Sequence, residues 1–74
     1  MNGSIDVGMV CVKTAGKDAG KKVVVVEHND EKFVTVIGPS VKKRKVNIFH
    51  IFPLGKKIAV SKNVSQKELK GKLE

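Results

Sequence analysis

Four consecutive valines, Val23 to Val26, limit the fold of this chain more than any other feature. β-branched side chains favour extended backbone, and a strand points successive side chains to opposite faces. A strand with one face in solvent alternates apolar and polar residues, and this run does not alternate. We therefore expect a strand whose two faces are both buried, as in a small barrel.

A basic glycine loop separates this strand from an earlier one. The apolar run Val7 to Lys13 predicts the first strand, and the second is expected at Lys22 to His28. Between them, Gly16 and Gly20 suit a sharp loop because glycine adopts positive φ without a Cβ clash. A tight loop of this kind favours a phosphate backbone as its ligand, since it carries the lysines Lys17, Lys21 and Lys22.

Three further strands are expected downstream. A turn at Asn29 to Lys32 precedes a strand at Phe33 to Ile37, which a glycine and a proline end. Two more strands are predicted at Val46 to Ile51 and at Lys57 to Val60, with a turn at Pro53 to Lys56 between them. Five short strands joined by turns indicate a mainly β fold, a small five-stranded antiparallel barrel or sandwich.

The C-terminal tail predicts a short helix. Ser65 and Glu68 have the spacing of a capping box, and Leu69 and Leu73 fall on one helical face. Gly71 weakens this helix, so it needs a partner surface. The expected division is a flexible N-terminus (1–4), a barrel (5–60), and a linker with the short helix (61–74).

The charge of the chain indicates a polyanionic partner. Fifteen lysines and arginines stand against seven acidic residues among 74, a net charge of +8. So much positive charge on one small domain attracts nucleic acid first and anionic membrane surfaces second, with solubility alone as the alternative explanation. A chain of this length also has little room for a catalytic cleft with walls of its own.

Secretion and membrane insertion are not expected. The first six residues lack the basic and apolar regions of a signal peptide, and the valine run is far shorter than the ~20 apolar residues of a membrane span. The single cysteine, Cys11, cannot form an internal disulfide, which indicates an intracellular protein. Because it lies between two valines, we expect Cys11 in the core rather than as a nucleophile.

The residues offer no support for catalysis or for a metal. The glycine loop fails the pattern of the NTPase phosphate loop, because Gly16 and Gly20 are four apart and a strand follows. Lys22 also stands where that motif has serine or threonine. His28 and His50 are isolated from other residues at ligand spacing. We expect no enzyme activity, no metal and no cofactor.

Several segments match a known family in the same order. They are residues 6–22 with both loop glycines, Val36 to Pro39, Lys42 to Ile48, and His50. The first resembles the KOW motif, a hairpin of many ribosomal and transcription-elongation proteins. Together they are similar to the "fourteen-e" family of large-subunit ribosomal proteins of archaea and eukaryotes, and most of all to its short archaeal members. The similarity runs from about Ile5 to the tail helix.

This resemblance implies an SH3-like KOW barrel that binds ribosomal RNA and neighbouring ribosomal proteins. It assigns RNA contacts to the KOW loop (Lys13, Thr14, Gly16, Lys17 and Gly20) and to a basic segment (Lys42, Lys43, Arg44 and Lys45). Two departures from the family pattern are visible. Met9 stands where arginine is common, which implies a missing RNA contact, and Phe49 and Phe52 replace polar residues, which indicates a protein contact there.

The expected mode of RNA recognition is shape and backbone readout. The basic segment is expected in a loop and the start of a strand, so its alternate side chains point apart. Arg44 ranks first, because a planar guanidinium can make two hydrogen bonds to one phosphate. Phe33, Phe49 and Phe52 are expected in the core or at interfaces rather than stacked on bases.

Three functions remain open on the sequence alone. The first is a structural constituent of the large ribosomal subunit, monomeric when isolated. The second is a free KOW module that acts as a transcription or translation factor. The third is a non-specific coat protein, which would bind duplex DNA and ribosomal RNA equally at matched salt.

Overall fold

The computed structural model describes residues 6–60 and 63–73. The predicted flexible N-terminus, part of the predicted linker, and the side chain of Leu73 lie outside the described part of the chain. Five strands, one 3-10 turn and one helix follow in order: β1 (Met9–Lys13), β2 (Lys22–His28), β3 (Phe33–Gly38), β4 (Val41–Asn47), the 3-10 turn (Ile48–His50), β5 (Ile51–Lys57) and α1 (Gln66–Leu73).

All five strands form one antiparallel sheet in the order β4-β3-β2-β1-β5. The first four strands pair with their neighbours along the chain, and β5 returns to lie beside β1. The predicted mainly β, barrel-like fold of five antiparallel strands with a short C-terminal helix is confirmed.

The valine run occupies the middle strand and supplies core to both of its faces. Val23 and Val25 belong to an inner core, whereas Val24 and Val26 belong to an outer core, and all four are buried. The expectation of a strand buried on both faces is therefore confirmed. The inner core comprises Cys11, Val23, Val25, Val34, Val36, Val41, Val46 and Ile51. The outer core comprises Val10, Val24, Val26, Ile37, Val64 and Leu69.

The helix α1 covers the outer core. Ser65 Oγ accepts a hydrogen bond from the backbone N–H of Glu68 at 3.2 Å, so the predicted N-cap is present. Leu69 is fully buried against the sheet, and Gln66 Nε2 donates to the carbonyl oxygen of Gly38 at 3.2 Å. A helix of eight residues is too short to be stable alone, so this packing stabilises it.

The first strand begins two residues later than predicted. Val7 and Gly8 form a turn, with Gly8 at a φ of +94°. The N–H of Gly8 donates to the carbonyl of Val25 at 2.7 Å, and its own carbonyl accepts from the N–H of Ile58 at 2.8 Å. This glycine therefore ties the start of β1 to the middle strand and to the chain after β5.

The basic segment is a strand, which corrects two predictions. We expected a loop and strand start at 41–45 and a fourth strand at 46–51, but β4 spans Val41–Asn47. Val41 and Val46 are buried in the inner core, and that burial outweighs the low β propensity of lysine. The pairing register shifts between Val36 and Gly38 of β3, so one extra residue in β4 lets both valines face inward.

The predicted turn at Pro53 to Lys56 and the predicted strand at Lys57 to Val60 are wrong. The strand β5 spans Ile51–Lys57 and therefore contains the proline and glycine that indicated a turn. The register against β1 shifts midway, and Gly55 has a φ of +80°, so these residues form a bulge. A bulge and a proline are tolerated because β5 ends the sheet order.

Cys11 lies fully buried in the inner core, as predicted. Burial raises the pKa of its thiol from the ordinary value of 9.0 to about 11, because the thiolate would lose its hydration. The side chain is therefore a neutral packing group near neutral pH rather than a nucleophile.

Gly38, at the end of β3, leaves no room for a side chain. A Cβ on this buried glycine would collide with the carbonyl oxygen of Lys22 and approach Val23 Cγ1 to 3.1 Å. We predict that Gly38→Ala lowers the free energy of unfolding by roughly 1–3 kcal/mol, measured by urea denaturation. Gly71→Ala is the matched control, because it faces open space within α1 and should raise stability by up to ~1 kcal/mol. An unchanged midpoint for Gly38→Ala would contradict this close approach of β2 and β3.

Candidate nucleic-acid interface

The glycine loop between β1 and β2 is closed by backbone hydrogen bonds. The N–H of Lys13 donates to the carbonyl of Lys21 at 3.0 Å, and the N–H of Gly20 donates to the carbonyl of Lys13 at 2.7 Å. Gly16 and Gly20 have φ values of +83° and +88°, which confirms that both take the positive φ expected of them. A Cβ at either glycine would meet nothing within 4 Å, so the loop surface there is open to a ligand.

Most of the predicted loop residues reach the surface, but Lys13 does not. Its exposed fraction is 8%, since it lies in β1 between the loop and β5. Lys13 therefore serves first as a backbone anchor of the loop, and its predicted RNA contact remains a prediction. The exposed members of the set are Thr14, Gly16, Lys17, Gly20, Lys21 and Lys22.

Asp18 joins the loop to β4. Its carboxylate lies 3.4 Å from Nη1 of Arg44 and 3.6 Å from Nζ of Lys21. The Asp18 side chain is only 17% exposed, whereas that of Arg44 is 58% exposed. Asp18 and Arg44 are 26 residues apart in the sequence, and their contact places the glycine loop beside β4. We call the surface formed by the glycine loop and the Arg44 side of β4 the basic face.

Asp18 is not among the residues predicted from sequence. The available signal was a single acidic residue among lysines in a loop, and such a residue is usually solvated rather than paired across strands. The pairing of Asp18 with Arg44 depends on β4 being a strand, because the strand places Arg44 opposite Val36 of β3. Opposed residues share a face, so Arg44 lies on the inner-core side of the sheet and reaches the loop from there.

The four basic residues of β4 are all exposed, but they do not point one way. Lys45 stands opposite Thr35, one position along from Arg44, and therefore lies on the other face of the sheet. Its ammonium lies 5.1 Å from the ring centroid of Phe33, a cation–π contact. The alternation that was expected of this segment is present at these two positions. The exposed set is Lys42, Lys43, Arg44 and Lys45.

A cavity of about 220 Å³ lies beside the basic face, between the end of the glycine loop and the turn that joins β3 to β4. It is lined by Lys21, Lys22, Pro39 and Ser40. Two lysines and a serine around one concavity supply donors that suit an oxyanion such as a phosphate, although the ammonium of Lys21 also lies 3.6 Å from Asp18. Ser40 was not predicted as a site residue, since its Gly-Pro-Ser context indicated only a turn.

The aromatic residues differ from one another in exposure. Phe33 is half-buried beneath Lys45, whereas Phe49 is 76% exposed and Phe52 is 60% exposed. Phe49 and Phe52 are therefore not core residues. Of the two positions expected for them, the core or an interface, only the interface remains.

Among residues 6–60 and 63–73, no group of three His, Cys, Asp or Glu side chains could hold a metal ion. In the same ranges, no helix is long and apolar enough to cross a bilayer.

The fold and the basic face together define a small cationic β domain of the kind that binds polyanions. No family model matches the chain. The large ribosomal subunit protein eL14 of Saccharolobus solfataricus is 48% identical over 96% of this chain and 78% of its own length. Proteins of the same name from Sulfolobus acidocaldarius and Saccharolobus islandicus are each 45% identical with the same coverage. The chain belongs to the eL14 family, which confirms the resemblance inferred from the motifs.

Because Asp18 neutralises part of the basic face, its removal should strengthen polyanion binding. We predict that Asp18→Asn raises the affinity for large-subunit rRNA about two- to fivefold, because Arg44 and Lys21 lose a competing carboxylate. Filter binding at a fixed salt concentration would measure this gain. Glu31→Gln is the matched control, since it changes the net charge equally in the turn at the far end of β2. An equal gain in both variants would show that net charge alone matters.

Proposed function

We propose that this protein is a structural constituent of the large ribosomal subunit in the cytoplasm, where it binds the backbone of rRNA through its basic face. Membership of the eL14 family supports the ribosomal role, since the relatives are named as large-subunit proteins. The observation that supports the RNA-binding surface is the contact of Asp18 with Arg44, because it brings the glycine loop and β4 together.

The mechanism is electrostatic. Lysines of the loop and of β4 neutralise phosphates, which lets RNA helices approach one another with less repulsion. Arg44 adds a directional contact, since a guanidinium has five N–H donors and its contact with Asp18 involves only Nη1. The positive-φ glycines leave the loop without side chains at two points, so a sugar-phosphate backbone can approach closely there.

No catalytic step belongs to this function. The described lining of the cavity beside the loop includes lysines that could hold a phosphate, but no carboxylate or histidine that could move a proton. We infer that the partners are large-subunit rRNA and neighbouring ribosomal proteins, and that the isolated protein is a monomer without a cofactor. The alternative, a free KOW module that acts as a translation or transcription factor, differs in being released from ribosomes by salt.

A sucrose-gradient fractionation separates these two functions. We predict that the protein co-sediments with large subunits at low salt and after a wash at about 0.5 M salt, because many phosphate contacts act together in an assembled particle. Immunoblotting of the gradient fractions would measure this. Absence from the large-subunit peak at low salt would overturn the structural role, and loss only in the wash would favour the KOW factor.

Salt dependence tests the basic face directly. If about six basic side chains meet phosphates, the logarithm of the association constant with rRNA should fall with the logarithm of salt at a slope of roughly −4 to −5. We predict that Lys17→Gln and Arg44→Gln each make this slope shallower by ~0.7–0.9, as one phosphate contact is lost. Lys67→Gln, on the exposed side of α1, removes the same charge outside the basic face and should leave the slope unchanged. Equal effects in all three variants would contradict a localised interface.

A further inference from the structure

Two large aromatic side chains are exposed next to the glycine loop. Phe49 lies in the 3-10 turn and Phe52 in β5, and their rings are the most exposed of the large apolar groups among the described residues. In a 3-10 turn, side chains three residues apart lie on the same side. Ile48 and Ile51 pack into the inner core, so the two phenylalanines that follow them are left outside.

The backbone that presents these rings is held in place. The N–H of Phe49 donates to Asn47 Oδ1 at 2.8 Å, and the N–H of Ile51 donates to the carbonyl of Ile48. The carbonyl of His50 accepts from the N–H of Thr14 at 2.9 Å, which joins the turn to the base of the glycine loop. A backbone held in this way loses little conformational entropy when a ligand binds.

Phe52 also shares a sheet face with a lysine of the basic loop. Val12 of β1 pairs with Phe52 on one side and with Lys22 of β2 on the other. Directly opposed residues of antiparallel strands have their side chains on the same face. The lysine and the ring are therefore two strand spacings apart, roughly 10 Å, with one valine between them.

The same face contains a second cavity, of about 90 Å³. Its floor is apolar and its rim is cationic: the lining residues are Val10, Leu54 and Ile58, with Lys22, Lys56 and Lys72. No carboxylate is among its described lining residues, although Lys72 Nζ lies 3.5 Å from Oε2 of Glu68. Lys22 lines this cavity and the larger one beside the glycine loop, so the two cavities lie next to each other at this residue.

The chemistry of this face matches a nucleotide better than a protein side chain. Flat apolar rings bind the π-face of an unpaired base, and lysines about 10 Å away can bind the phosphates that flank it. A protein partner would need apolar and acidic side chains close together, whereas every RNA strand carries bases that can stack and phosphates that are anionic. Because Lys22 belongs to both the glycine loop end and this face, one RNA strand could contact both.

We propose that Phe49 and Phe52 form a stacking site for an unpaired base of rRNA, with Lys22 and Lys56 holding the adjacent phosphates. This inference rests on the proposed RNA-binding function and adds base contact to a surface that otherwise reads only the backbone. It replaces the expectation from sequence that these rings meet a neighbouring protein. The preferred substrate is a single-stranded or bulged segment, since a paired base has no free face to offer.

The absence of tryptophan and tyrosine from the chain gives a direct probe. In Phe52→Trp, the single indole should be quenched when a single-stranded 12-nucleotide RNA binds and much less when a 12-base-pair RNA duplex binds. Val7→Trp is the control, because Val7 is exposed in the turn before β1, whereas Val12, which pairs with Phe52, lies near the other end of that strand. Equal quenching in both variants, or by both RNAs, would overturn the stacking site.

Binding measurements on the full chain provide the second arm. The double variant Phe49→Leu, Phe52→Leu should bind single-stranded RNA and rRNA roughly 5- to 100-fold more weakly, with an unchanged salt slope, because no charge is removed. Phe52→Tyr should keep the affinity of the unaltered protein, since it keeps the ring. Thermal unfolding of each variant would check the fold, and exposed phenylalanines should be replaced with little loss of stability.

The outcomes separate this inference from the function on which it rests. Unaltered RNA affinity in the double-leucine variant, with the normal salt slope, would overturn the stacking site and leave the backbone interface standing. If subunits that contain the double-leucine variant lost a neighbouring ribosomal protein while RNA affinity was unaltered, the face that carries Phe49 and Phe52 would be assigned to that protein instead. Failure of the unaltered protein to bind rRNA at low salt would overturn both proposals.

Discussion

The fold depends on a single strand that is buried on both sides. In β2 the alternate valines pack into two separate cores, one within the barrel-like sheet and one beneath α1. Neither core is large, and a domain of 74 residues has few other sources of stability. Because both cores share this strand, the helix, the neighbouring strands and the glycine loop that leads into β2 are all positioned by it. An eight-residue helix with an internal glycine needs this arrangement, since its own propensity is too low.

The same strand explains how a strongly basic surface is built on a small body. The glycine loop ends where β2 begins, and β4 reaches the loop because β3 is the only strand between β4 and β2. Clustered lysines repel one another, and Asp18 offsets that repulsion by pairing with Arg44 and Lys21. Pairs with an exposed partner contribute little to stability, so Asp18 offsets repulsion among these cations in the unbound protein more than it stabilises the fold. Phosphates of a bound RNA could then replace Asp18 as the partners of Arg44 and Lys21.

The sequence predicts most of this fold, and the misses have physical causes. The valine run, the loop glycines and the serine cap act locally, so their consequences are visible along the chain. The strand β4 was missed because four adjacent charges indicate a solvated loop, while its stability comes from burial of Val41 and Val46 at its ends. The bulge in β5 was missed because proline and glycine mark turns and edge bulges alike, and only pairing with β1 separates the two. The contact of Asp18 with Arg44 and the cavity at Ser40 depend on strand register, which no local pattern contains.

Charge alone would make this protein bind any polyanion, so selection among nucleic acids has to come from geometry. Phosphate contacts fix the position of a protein on a strand without reading its sequence. What distinguishes folded rRNA from a uniform duplex is its unpaired and bulged bases, which can stack on an exposed aromatic surface. In this chain Phe49 and Phe52 lie next to the basic loop, on a backbone tied to that loop through Thr14 and His50. A base contact there would be coupled to the phosphate contacts by the sheet itself, because β1 pairs with both β2 and β5. Selectivity for irregular RNA would then follow from the order of the strands, and it would require no base-specific hydrogen bond.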